Sequence, residues 1–187
     1  MSGAPAIELL RHGHTGQRSY RGQLDDPLSE TGWRQLRATA ATRQWDAVVS
    51  STLQRCAAFA AELAEQRGLP LRLDARLAEY HFGDWQGVPI EDIDRDAGQA
   101  LGRFWADPVQ HPPPGGEPFA AFRARLAAAL DQVADEHAGS AGRVLVVTHG
   151  GAIRALRCLV EQRPFGQMVE IEVPHASLHP LPWPPPA

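Results

Sequence analysis

Two short segments at opposite ends of the chain share one pattern. Residues 7–10 are largely apolar and stop at Arg11-His12-Gly13; residues 144–147 are wholly apolar and stop at Thr148-His149-Gly150-Gly151. Each run has the length of a strand, and neither shows the three-and-four spacing of an amphipathic helix. A buried strand that ends abruptly in an imidazole and a glycine opens into a site at its carboxyl end. Arg11 adds permanent positive charge there, His12 a nitrogen nucleophile, and Gly13 room for a close backbone approach. Two such strand ends side by side would form a two-sided cage around one oxyanion.

The rest of the chain limits what that cage belongs to. At 187 residues, 43% hydrophobic and 21% charged, the chain is long enough for one substantial core, and one domain over residues 1–187 is expected. A net charge of −4 argues against nucleic acid as partner, yet allows a small anionic ligand wherever arginines cluster in a cleft. Cys56 and Cys158 stand far apart without ligand spacing and are read as reduced, packed thiols. No segment reads as a membrane span or a signal peptide, so no membrane partner is expected and the cytoplasm is the expected compartment.

Strand and helix signals alternate along the chain. Residues 13–26 form a polar loop, and Ser29 is placed to cap a helix with Trp33, Leu36 and Ala40 on its apolar stripe. A second strand spans 46–50. Ser51 or Thr52 can cap the next helix, on which Leu53, Cys56, Ala60 and Leu63 share a face. Gly68-Leu69-Pro70 stops it, and 69–73 reads as a third strand. Residues 75–116 are expected to be an insertion with short helices that covers the site, with Tyr80, Phe82 and Trp85 as packing. A long helix carrying Phe119, Phe122, Leu126, Leu130 and Val133 follows, then a central strand over 143–148 and a helix marked by Ile153, Leu156 and Val160. Two closing strands, 169–173 and 177–181, are expected around Pro174, and the tail 182–186 is expected to be loose. This order implies an α/β fold, a three-layer α/β/α sandwich on a mostly parallel sheet, with ligands beyond the carboxyl ends of its strands.

Four motifs occur in register with those elements: Arg11-His12-Gly13, then Ser51-Thr52-Leu53-Gln54-Arg55, then Glu79 with Phe82-Gly83-Asp84-Trp85-Gln86-Gly87, then Thr148-His149-Gly150-Gly151. Together they resemble the histidine phosphatase superfamily, the phosphoglycerate mutase-like enzymes, over residues 6 to about 181. Asp26-Pro27-Leu28-Ser29, Phe104-Trp105-Ala106-Asp107-Pro108 and Gly115-Gly116-Glu117 most resemble its α-ribazole phosphatase branch, which acts in cobalamin assembly.

The resemblance implies hydrolysis of a small phosphate monoester through phosphohistidine, without a metal or other cofactor. His12 would be the nucleophile and Glu79 the general acid, its pKa raised by the aromatic neighbourhood. Arg11, Arg55 and His149 would bind the phosphoryl oxygens, the arginines through forked donors. Arg18, Gln23, Gly150 and His175 are candidate substrate contacts. Relatives commonly carry an acid and an asparagine where this chain has His14 and Arg18, a change expected to favour a substrate with a second anionic group. Two alternatives stay open, a mutase-type phosphotransferase and a catalytically weak phospho-ligand binder. The sequence sets no oligomeric state.

Overall fold

The computed structural model describes residues 5–186. Five strands, β1 (Ala6–Arg11), β2 (Ala47–Ser50), β3 (Leu71–Leu73), β4 (Arg143–Thr148) and β5 (Leu178–Leu181), form one sheet in the order β3-β2-β4-β1-β5. The first four run parallel and β5 is antiparallel at the edge. Alternation along the strands divides the core in two. Ile7, Leu9, Val49, Val144 and Val146 face α4 (Phe119–Glu136), α5 (Gly150–Val160) and the cover. Leu10, Val48, Leu145 and Val147 face α1 (Glu30–Ala41) and α2 (Gln54–Arg67). The result is the expected sandwich, with both faces of the sheet covered.

Local chemistry sets the ends of these elements. Ser29 caps α1 by accepting from the Gly32 N–H, and Gly68, at φ 64°, closes α2 in the left-handed conformation that suits glycine. At the start of α2 the expectation fails. Leu53 occupies the cap position, and Ser51 instead takes the Leu53 N–H on its hydroxyl at 3.3 Å. Both cysteines are buried free thiols.

The cover carries the expected short helices, among them the two pieces of α3 (Ile90–Ala106), which meet at non-helical backbone on Ala97. Two further expectations are corrected. Residues 169–173 form no strand; a 3-10 turn spans Phe165–Glu170 and irregular chain follows. There the carbonyls of Ile171 and Val173 accept from Arg154 Nε at 3.0 Å and Arg11 Nη1 at 2.5 Å, so side chains take the place of a strand ladder. The tail is anchored as well. Trp183 is buried and its indole N–H donates to Asp131 Oδ1 at 2.8 Å.

Candidate active site

Because β1 and β4 lie side by side with Arg11 opposite Thr148, the residues after them leave the sheet together. The His12 N–H still donates to the Thr148 carbonyl at 3.0 Å. Adjacent strands are spaced by about 4.8 Å, and the His12 and His149 rings accordingly meet edge-on with centroids 5.2 Å apart. Arg55 arrives from the first turn of α2, on the far side of β4. Beyond these strand ends lies a cavity of about 280 Å³. Five arginines and one carboxylate, Glu79, line it, so its field is positive although the chain as a whole is acidic.

His12 is buried against the cavity wall. Its Nδ1 is 2.8 Å from the Gly13 carbonyl and donates to it, which leaves Nε2 unprotonated and without a partner among the described residues. Burial first, then the guanidinium of Arg55, pushes its pKa down to about 3, so the ring is neutral at physiological pH. The room provided by Gly13 goes to the protein itself. A Cβ there would lie 2.3 Å from the Gly32 carbonyl, so the loop packs backbone to backbone on α1.

The phosphate donors expected from the sequence are partly occupied by the protein. Arg55 donates from Nη1 to Leu24 O and from Nη2 to Gly22 O, both at 2.6 Å, and from Nε to His149 Nδ1 at 3.3 Å. Three of its N–H groups are thus engaged, and two remain for a ligand. His149 departs further from expectation. Fully buried, it is kept neutral by burial, its Nε2 donates to Ser51 Oγ at 2.8 Å, and it does not reach the cavity wall. Arg11 uses Nη1 on Val173 and Nη2 on His175 Nε2 at 3.2 Å, while its buried Nε has no partner among the described residues. Buried donors are nearly always satisfied, and an anion entering the cavity would satisfy this one.

Glu79 sits over the start of α5. Its Oε1 accepts from the N–H groups of Tyr80 (3.0 Å) and Ala152 (3.1 Å), and its Oε2 from Gly151 (3.0 Å). A Cβ at Gly151 would stand 2.5 Å from Oε1, so only glycine admits the carboxylate. The neighbouring Tyr80 ring packs inward against Phe104, Phe119 and Phe122. Arg125 of α4 fixes the backbone beneath Glu79. That residue donates to the carbonyls of Arg76, Ala78 and Glu79 and pairs with Glu117 at 2.8 Å.

The candidate substrate contacts divide. Arg18, Gly150 and His175 line the cavity; Gln23 does not, and its side chain donates to the Glu79 carbonyl at 3.2 Å. His14 also lies outside, with Nδ1 on the Ser29 hydroxyl at 2.9 Å, so of the two expected cationic changes only Arg18 reaches the cavity. Arg154, Tyr20 and Trp105 line it although sequence reasoning assigned none of them a part in the site. Arg154 was legible in principle, being four residues after Gly150 and therefore on the same face of α5. Arg125 gave no such signal, and Ser51, although it opens one of the four motifs, was read only as a helix cap.

The family model of the histidine phosphatase superfamily (branch 1) matches residues 7–185. A glucosyl-3-phosphoglycerate phosphatase of Mycobacterium tuberculosis is 39% identical over 174 residues, 86% of this chain and 77% of that protein. The native structure of a mycobacterial glucosyl-3-phosphoglycerate phosphatase superposes with a TM-score of 0.83 at 34% identity, covering 94% of this chain and 89% of that one. The α-ribazole phosphatase of Shigella flexneri superposes at 0.75 with 26% identity over 92% of this chain and 88% of its own. The chain belongs to branch 1 of the histidine phosphatase superfamily.

Proposed function

We propose that the protein hydrolyses a small phosphate monoester through a phosphohistidine on His12, without a metal. The observation that carries this reading is the state of His12: a neutral ring, tied through Nδ1, with Nε2 free at the cavity. Nε2 attacks phosphorus, the N–P bond forms, and the bond to the leaving oxygen breaks with its electron pair. Arg11 Nε and the two remaining N–H groups of Arg55 stabilise charge on the phosphoryl oxygens. His149 acts behind them by holding Arg55 Nε. Glu79 gives the leaving oxygen its proton from Oε2, which accepts only one N–H and keeps an open site. Water then attacks the phosphorus as Glu79 takes its proton; the new P–O bond forms, the N–P bond breaks with its electron pair returning to His12 Nε2, and inorganic phosphate leaves.

For the leaving group, the α-ribazole reading rests on short sequence motifs and on structural relatives near 26% identity. Relatives at 38–39% identity are named for a phosphoglycerate ester, which carries a carboxylate beside its phosphate. The cationic cavity suits the second class, and we assign the substrate to it. The direct test is rapid acid-free quenching of the enzyme with ³²P-labelled 3-phosphoglycerate or p-nitrophenyl phosphate. Acid-labile, base-stable label should map to His12. Turnover without such label, or label on another residue, overturns the scheme.

A further inference from the structure

The cavity is lined as well by Arg154 of α5, Tyr20 and Trp105. Arg154 is half-buried, and its Nε is fixed on the Ile171 carbonyl at 3.0 Å. That bond aims the guanidinium but uses only one of its donors. Nη1 and Nη2 have neither a hydrogen bond nor an ion pair among the described residues, although Glu79 lines the same cavity. The Glu79 carboxylate is instead occupied by three backbone N–H groups. A partly desolvated guanidinium cannot escape by losing its proton, and two adjacent free donors match the two oxygens of a carboxylate.

Tyr20 adds a donor of defined direction. Trp105 Nε1 is 3.0 Å from the Tyr20 hydroxyl, and an indole N–H can only donate. The Tyr20 oxygen therefore accepts, and its own proton is free for another group. Tyr20 is held in place by stacking on Phe82 with ring centroids 4.7 Å apart. Gly150 lies between Arg154 and Arg11 of the phosphoryl end. A Cβ built on it would stand 3.3 Å from Arg11 Nε and 3.3 Å from Arg154 Nη1, so the two guanidinium groups flank one glycine.

Resting on the phosphatase reading above, we propose that Arg154 and the Tyr20 hydroxyl form a carboxylate subsite for the leaving group, with Arg18 at its open rim. The ligand class is an alkyl phosphate bearing a carboxylate within a few bonds of the ester oxygen. The subsite makes Arg154 a specificity-determining residue of the hydrolysis.

Two esters that differ only at that group provide the test: 3-phosphoglycerate and glycerol 3-phosphate, with p-nitrophenyl phosphate as a reporter of the chemistry. The wild type should favour 3-phosphoglycerate in kcat/KM. In Arg154→Met the loss on 3-phosphoglycerate should exceed that on glycerol 3-phosphate by about 10- to 100-fold, the range for a charge-assisted pair. Tyr20→Phe should act in the same sense by about 3- to 10-fold. Glycerate, as a competitive inhibitor, should weaken in Arg154→Met while inorganic phosphate inhibits much as before, which checks the subsite without turnover and shows an intact fold. Equal losses on both esters would place Arg154 on the phosphoryl group and overturn the proposal. So would a wild type that does not prefer the carboxylate ester. Failure to hydrolyse even p-nitrophenyl phosphate would instead overturn the phosphatase reading.

Discussion

Arg11 and His12 continue directly from β1, whereas Tyr20, Trp105 and Arg154 reach the other end of the same cavity from a loop, from α3 and from α5. At the first end the protein ties its own groups: His12 to Gly13, Arg55 to Gly22 and Leu24, His149 to Ser51. At the second end, guanidinium donors of Arg18 and Arg154 stay open among the described residues. Tied groups are preorganised for one constant task, stabilising charge on a phosphoryl group. Open donors leave the choice of leaving group to the ligand. One sheet can thus keep its chemistry while its substrates change.

The comparison breaks first at the nucleophile. His12→Ala should lower turnover about 10⁴-fold or more on every ester and abolish the trapped phosphoenzyme. Near-normal turnover in that variant would remove His12 from the chemistry. Glu79 stands where the two ends meet, and its effect should depend on the leaving group. Glu79→Gln should cost about 10²–10⁴-fold on alkyl esters, yet leave a burst of one p-nitrophenol per site before slow turnover. A uniform slowing of the first step would make Glu79 a clamp and not an acid.

A smaller effect is expected from the scaffold of the second end. Phe104 is buried against Tyr80, Phe82, Trp85 and Trp105, with ring centroids 4.9 to 5.9 Å away. Phe104→Ala should cost about 3–5 kcal/mol of stability, and in the fold that remains it should blur selectivity between esters more than it slows p-nitrophenyl phosphate. Denaturant titration and a two-ester comparison test both parts.

The histidines at the first end also predict how stability varies with pH. Burial holds the folded pKa of His12 near 3 and that of His175 near 4, against 6.5 in a free chain. As pH falls below 6.5 the unfolded chain takes up protons that the native state refuses. The native state therefore weakens between about pH 6.5 and 4, by at most about 1.4 kcal/mol per pH unit for His12 and by less for the half-buried His175. The melting temperature should fall from pH 7 to pH 5, and less steeply in His175→Gln; a flat profile would contradict the buried neutral state. The smallest expected effect is that of EDTA. Arg11 and Arg55 already supply the charge a metal would bring, so hydrolysis should be unaffected, and loss restored only by a divalent ion would defeat the phosphohistidine scheme.

The order of strands and helices and the pairing of two strand-end histidines could be read from the chain, because periodicity is local, whereas Arg55 and Glu79 stood out only through the resemblance of their motifs to a known family. Tertiary structure alone decided what those groups face. Nothing near His149 in sequence predicts Ser51 as its partner, 98 positions away, nor Arg125 beneath the Glu79 backbone, 46 positions away. The segment 169–173 has the composition of a strand, but Arg11 and Arg154 claim its carbonyls, a competition visible only once the chain is folded. Trp183 shows the same limit, since a proline-flanked tail reads as loose until Asp131 is found within 2.8 Å of its indole nitrogen. A local pattern fixes which backbone conformation is cheapest, while the partner of a buried donor is fixed by whatever acceptor the packing brings within reach.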